Sequence, residues 1–216
     1  MDKTHARTIL QEATTQGAGR KFKQGIDLII NLKDLDLKKT EHQLDFYVTL
    51  THSVGKKRRV CAFVGPELRD EARATCDTVI SVDDFDVYKD KKKLKKLAST
   101  HDYFISQANI MAQVATVFGR VLGPRGKMPN PKAGCVVPPK ATLKPLVERL
   151  QKTVRVQAKK APVVQVAVGK EDMSQDAIAD NIHLLYTQVQ SHLPGEANNI
   201  RNAMVKLTMG KPVKLA

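Results

Sequence analysis

Between Val60 and Lys152 short apolar runs alternate with helical patterns, and that alternation leaves few folds open. The runs at 60–64, 78–82 and 103–106 are too short for helices. Segments with helical spacing separate or follow them at 67–75, 91–98 and 109–118, and a last helix is expected over 143–152. Strands joined through helices need crossover connections, so the sheet should be parallel and covered on both faces. The expectation is a Rossmann-like three-layer α/β unit. A dinucleotide site on such a unit would place G-x-G-x-x-G straight after the first strand, where this chain has Val64-Gly65-Pro66-Glu67. No cofactor is therefore expected.

The flanks read differently. Ile9, Leu10 and Ala13 mark an amphipathic helix over 3–14, and strands are expected at 26–32 and 46–50. Beyond Lys152, the runs 154–157 and 163–168 look like strands facing each other as a hairpin across Lys159-Lys160-Ala161-Pro162. Ser174 can cap a helix over 175–190, with Asp176 favourable in its first turn. A second helix is expected at 196–202, and a short last strand at 205–207 delivers Thr208-Met209-Gly210-Lys211-Pro212 to a surface turn. Each flank is half of an α/β fold.

The chain carries 36 Lys+Arg against 22 Asp+Glu, a formal charge of +14. Unpaired charge is costly to bury, so the surplus lies on the surface and suits a polyanionic partner. Nucleic acid fits better than a membrane, because no long apolar span, signal-peptide pattern or lipidation motif is present. Three widely spaced cysteines, 61, 76 and 135, form no metal-clasping or redox pair and suit a reducing cytosol. The absence of Trp and an aromatic content of 5% argue against serial base stacking, so an RNA partner would be read by shape and backbone.

The stretch 119–134, GRVLGPRGKMPNPKAG, has four glycines and three prolines, which predict a structured loop that neither a helix nor a central strand runs through. Arg120, Arg125, Lys127 and Lys132 ride on it without an acidic neighbour, suiting either a rigid solvated connector or an anionic surface. Val121 and Met128 stand where a P-loop needs Gly and Ser/Thr, which excludes nucleotide phosphate binding of that type. Phe22, inside Arg20-Lys21-Phe22-Lys23, can stack on a base or sugar while its neighbours hold phosphates, or turn into the core. The run 89–96 is either a solvated lysine face or a second RNA contact. Asp83, Asp84 and Asp86 read as a solvated turn rather than a metal site, and His183 and His192 as surface or helix-end residues. There is no nucleophile–base pair or activated carboxylate pair, so no catalytic site is expected.

The loop 119–134, the early Lys21-Phe22 and the terminal Thr208-Met209-Gly210 together resemble the L-one family of large ribosomal subunit proteins, in its archaeal rather than bacterial form. The resemblance spans essentially the whole chain. It implies a discontinuous two-layer α/β domain from both termini, 1–57 and 153–216, that binds RNA, with the Rossmann-like domain, 58–152, inserted. It also implies that Lys21, Phe22, Thr208, Met209 and Gly210 contact stalk ribosomal RNA, and that the basic loop touches RNA only secondarily. The implied function is non-catalytic: a cytoplasmic constituent of the large subunit, monomeric off the ribosome. In that reading it holds stalk ribosomal RNA, assists release of deacylated transfer RNA from the exit site, and represses its own messenger by binding a mimic of the ribosomal site. Members often carry Glu then Ser or Thr after Lys-Phe; here Gln24 and Gly25 follow Lys23, which changes the hydrogen bonding available at that edge. A Gly210→Val substitution is expected to weaken binding with little loss of fold stability.

Overall fold

In the computed structural model, which describes residues 3–17 and 20–215, the chain divides into two compact units. One comprises 1–56 with 152–216, the other 57–151, so the second is inserted into the chain of the first.

In the first unit, α1 (Lys3–Gly17) precedes β1 (Gly25–Leu32) and β2 (Leu44–Thr49). Ile26, Leu28, Ile30 and Leu32 alternate along β1 and are all buried, while Asp27, Ile29 and Asn31 face the other way and stay partly exposed. Such a period of two makes a strand with one face against a core and one against water. After the inserted unit come β7 (Thr153–Ala158), β8 (Val163–Lys170), α6 (Gln175–Ser191), β9 (Ile200–Leu207) and β10 (Val213–Lys214). Four of these strands form a sheet in the order β10-β9-β1-β8, with every neighbouring pair antiparallel. α1 and α6 pack together on its buried face, where Ile9, Leu10 and Ala13 meet Ile178, Ile182 and Leu185 in one core. Ser174 caps α6 by accepting from the Ala177 N–H at 3.4 Å. The result is the two-layer α/β architecture.

Two expectations for this unit fail. The hairpin of 154–157 with 163–168 does not form: β7 pairs β2 in a separate two-stranded sheet, and β8 pairs β1. The carbonyl of Pro162 accepts from Leu32 N–H at 2.8 Å, which seats the start of β8 on the end of β1 instead of on β7. The helix expected over 196–202 is a single 3₁₀ turn, Glu196–Asn199, and the last strand is much longer than 205–207. The Asn199 side chain accepts from Gly195 N–H at 2.6 Å and donates to Lys33 O at 3.1 Å, closing the turn so that Ile200 enters the ladder with β1.

The second unit holds β3 (Val60–Val64), α2 (Arg69–Thr75), β4 (Thr78–Ser81), α3 (Lys91–Thr100), β5 (Tyr103–Gln107), α4 (Met111–Leu122), β6 (Val136–Val137) and the helix α5 (Leu143–Lys152), whose last residue joins the first unit. Its sheet is wholly parallel, in the order β4-β3-β5-β6. Every residue of β3 is buried, as a strand covered on both faces requires. Cys61 and Phe63 join Leu94, Leu97, Val114 and Phe118 of α3 and α4 in one cluster. The alternate residues Val60, Ala62 and Val64 are equally buried, and α2 packs on β3 and β4. Glu71 of α2 accepts from the Leu143 N–H at 2.6 Å, tying α5 to α2. This is the three-layer, Rossmann-like arrangement. The three cysteines are unpaired, and burial pushes the Cys135 thiol up to about 11.

The loop expected to begin at Gly119 begins later. α4 runs through Gly119 and Arg120 to Leu122, because Val121 and Leu122 continue the buried face set by Val114 and Phe118. That burial outweighs the roughly 1 kcal/mol that a mid-helix glycine costs. Within the loop, Gly134 has φ 73°, a left-handed backbone that side chains rarely adopt, so a substitution there is strained.

Candidate nucleic-acid interface

Antiparallel pairing of β1 with β9 brings the two ends of the sequence together. Ile26 lies opposite Leu207, so the residues just before β1 meet those just after β9. Side chains then fasten the junction. Thr208 Oγ1 accepts from Gly25 N–H at 3.1 Å, Thr208 N–H donates to Gly25 O at 3.0 Å, and Gln24 Oε1 accepts from Met209 N–H at 3.1 Å. Gly210 N–H donates to Leu207 O at 3.0 Å and closes the turn. Lys21 and Phe22 lie in the segment leading into Gln24, so two stretches almost two hundred residues apart in sequence belong to one strand end.

What this strand end shows to solvent is unusual for the molecule. Phe22 is 53% exposed and Met209 is 59% exposed; among the described residues the other large exposed hydrophobic is Val87, in the second unit. Phe22 therefore does not turn into the core, which settles the alternative that its sequence context leaves open. Arg20, Lys21 and Lys211 are exposed beside these apolar groups. Flexible apolar side chains flanked by cations suit the sugar edges and phosphates of folded RNA.

A third segment contributes that the sequence does not point to. At the end of β8, Glu171 Oε2 accepts from Gln24 N–H at 3.3 Å and Glu171 N–H donates to Gln24 O at 3.0 Å. Asp172 pairs with Lys23 at 2.9 Å, and that ammonium holds its carboxyl below the usual range. Gln24, only 1% exposed, is thus held by all three segments and positions the Met209 backbone. The edge is hydrogen-bonded with Gln24 in place. A β-carbon at Gly25 would sit 3.4 Å from Thr208 Oγ1, an ordinary contact, so glycine is not sterically required there.

The loop cations divide by role. Lys127 Nζ donates to Ala98 O at 2.8 Å and His101 O at 2.6 Å, satisfying the C-terminal carbonyls of α3. Arg125 Nη1 donates to Lys95 O at 3.2 Å and Ser99 Oγ at 3.0 Å. Arg120 and Lys132 are exposed. All four lie in the second unit, apart from the strand-end residues of the first. Among the described residues no cluster of three or more His, Cys, Asp or Glu side chains could hold a metal ion, and no helix is long and apolar enough to cross a membrane. Asp83, Asp84 and Asp86 lie in a 3₁₀ run, Val82–Lys89.

Similarity to known proteins spans both units. Residues 10–211 fit the model of the ribosomal protein L1p/L10e family. A large ribosomal subunit protein uL1 from Methanothermococcus thermolithotrophicus is 39% identical over the whole of this chain and 99% of its own. Proteins of the same name from Nanoarchaeum equitans and Methanocaldococcus jannaschii are 41% and 38% identical, over 93% and 100% of this chain and 94% and 96% of theirs. Similarity that runs through both units at this level leaves one assignment: the chain belongs to the ribosomal protein L1p/L10e family.

Proposed function

We propose that the chain is a non-catalytic constituent of the large ribosomal subunit whose first unit grips stalk ribosomal RNA at the strand end formed by Lys21, Phe22, Thr208, Met209 and Gly210. One observation carries this reading: Phe22 and Met209, two of the few large apolar side chains left exposed, project from the same hydrogen-bonded edge with cations around them. This apolar pair beside Arg20, Lys21 and Lys211 belongs to neither core cluster. The domain limits that serve this function are 1–57 with 153–216 for the RNA-binding part and 58–152 for the insert. In the same reading the protein assists departure of deacylated transfer RNA from the exit site, with the basic residues Arg120, Arg125, Lys127 and Lys132 on the inserted domain as secondary contacts. Off the ribosome it is a cytoplasmic monomer whose strand end takes its own messenger RNA as a mimic of the ribosomal site, repressing translation.

The test is a filter-binding titration against a stalk-region ribosomal RNA fragment with excess unrelated structured RNA, at two salt concentrations. Wild type should bind through the competitor, and Met209→Ala should weaken binding by roughly tenfold, about 1.4 kcal/mol. Binding that disappears into the competitor and ignores Met209→Ala would reduce the protein to general phosphate attraction.

A further inference from the structure

The lysine-rich helix of the second unit has no role in the strand-end site. In α3, Leu94, Leu97 and Ala98 face the core, while Lys91, Lys92, Lys93, Lys95 and Lys96 are all exposed. At 100° per residue, Lys92, Lys95, Lys96 and Ser99 cluster about the direction opposite the core, with one turn rising about 5.4 Å. No ion pair to any of the five lysines occurs among the described residues. Of the acidic side chains nearest in sequence, Asp83, Asp84, Asp86 and Asp90 precede the helix and Asp102 follows it; Asp90 is engaged as the N-cap, accepting from Lys92 N–H at 2.9 Å, and Asp102 Oδ2 accepts from Arg59 N–H at 3.1 Å. No acidic side chain lies within the helix itself to oppose the cationic row.

The following loop extends that row. Arg125 is laid against the last turns of α3 by its bonds to Lys95 O and Ser99 Oγ, both through Nη1, which leaves the other side of its donor fork available. Lys127 neutralises the helix C-terminal carbonyls from the same side. A sequence-local run of lysines is commonly a solvated face; an arginine brought in from about thirty residues away and fixed in line with it makes a built surface.

We propose that Lys92, Lys95 and Lys96 of α3, extended by Arg125, form a second RNA-contact surface that grips the phosphate backbone of base-paired RNA without reading sequence. Lysines on flexible stems act as point charges, and the arginine fork matches phosphate geometry. Base-paired rather than single-stranded RNA is favoured because no aromatic side chain of this unit is strongly exposed among the described residues, so nothing there can stack successive bases. This surface is independent of the strand end, and each can fail without the other.

The test uses the full chain and a perfectly paired RNA duplex of arbitrary sequence, titrated by fluorescence anisotropy at several salt concentrations. A Lys92→Gln, Lys95→Gln, Lys96→Gln variant keeps helix-forming residues, so its melting temperature should match wild type. Its duplex affinity should fall by at least about tenfold, and the slope of log affinity against log salt should flatten by about three, one for each phosphate no longer neutralised. The corresponding triple Lys→Arg variant should bind as wild type does. Stalk-fragment binding measured through its Met209 dependence should be unchanged in the Gln variant, and Met209→Ala should leave duplex binding intact. Unchanged duplex affinity in a folded Gln variant overturns the proposal, as does displacement of the duplex by polyglutamate at equal charge concentration, which would make the surface a general acid binder. If the Gln variant does not fold, the single reversal Lys96→Glu decides in the same assay: weakening with a flatter salt slope supports the surface, and wild-type binding overturns it.

Discussion

Gly210 separates contact from conformation at the scale of one residue. Its φ is not in the left-handed region, so any residue can adopt its backbone. An added β-carbon would meet Leu207 Cβ at 3.2 Å, close enough that the neighbour must yield by a few tenths of an ångström. A branched side chain adds two more carbons at this crowded point, so Gly210→Val would disturb the turn as well as the contact, more than the sequence suggests. Gly210→Ala is the cleaner probe. Its melting temperature should stay within about two degrees of wild type, while stalk-RNA affinity drops roughly tenfold because the backbone can no longer be approached closely. Unchanged affinity with a large loss of stability would make Gly210 a folding residue only. Lys127 gives the opposite case. Its ammonium holds two carbonyls at the end of α3, and Lys127→Met should lower stability by about 1–2 kcal/mol in urea unfolding with little change in stalk-RNA affinity. A variant as stable as wild type but defective in stalk-RNA binding would make Lys127 a primary contact rather than the secondary one proposed.

Between elements, charge pairing fixes the small sheet. Asp45 of β2 accepts from Arg155 Nε and Nη2 of β7 at 2.8 and 3.0 Å and from Lys159 Nζ at 2.7 Å. The Arg155 guanidinium first, then Lys159, hold its carboxyl down at about 2. A carboxyl depressed on folding contributes stability that is present above its unfolded value near 3.9 and is lost as pH falls through its folded value. The extra acid sensitivity should therefore appear between about pH 4 and 2. Asp45→Asn should be less stable than wild type at neutral pH, with the difference shrinking across that window in pH-dependent urea midpoints; a constant difference would show that the pairing is offset by desolvation. The same pair of strands shows where sequence reading ends. The parallel unit was legible because short apolar runs alternate with helical spacing from β3 to α4, and α5 falls where its spacing puts it, Leu143–Lys152; β6, only Val136–Val137, is too short to leave such a run and was not expected. Which strand β7 pairs with was not, since Val154, Val156 and Ala158 would suit either neighbour and the choice rests on Pro162 O meeting Leu32 N–H. At the strand end, Phe22 and Met209 stood out as apolar residues in polar surroundings. Glu171 and Asp172 carried no such signal: their meeting with Gln24 and Lys23 is a product of β1 pairing with β8, which no local pattern encodes.

For the whole molecule, insertion of one unit into another raises the question of which can fold alone. The first unit has its own core, built from α1, α6 and both of its sheets, and every contact described at the strand end lies inside it. The places where the chain leaves and returns are held near each other by that unit: Thr49 lies opposite Thr153, and Leu50 N–H donates to Lys152 O at 2.9 Å. Residues 51–56 must be kept, because Val54 is buried in the core and His52 exchanges backbone hydrogen bonds with the buried Asn181 side chain at 3.1 Å each way. Closing a short loop costs little more than a few kcal/mol of chain entropy. Joining Lys56 to Lys152 through a short Gly-Ser linker should therefore yield a protein that unfolds in one cooperative urea transition. It should bind the stalk fragment within about threefold of the full chain, roughly 0.6 kcal/mol, and retain the Met209→Ala defect. Failure to fold would mean that the first core depends on the insert. Folding with lost stalk affinity would move the primary RNA site off the strand end and onto the unit that was removed.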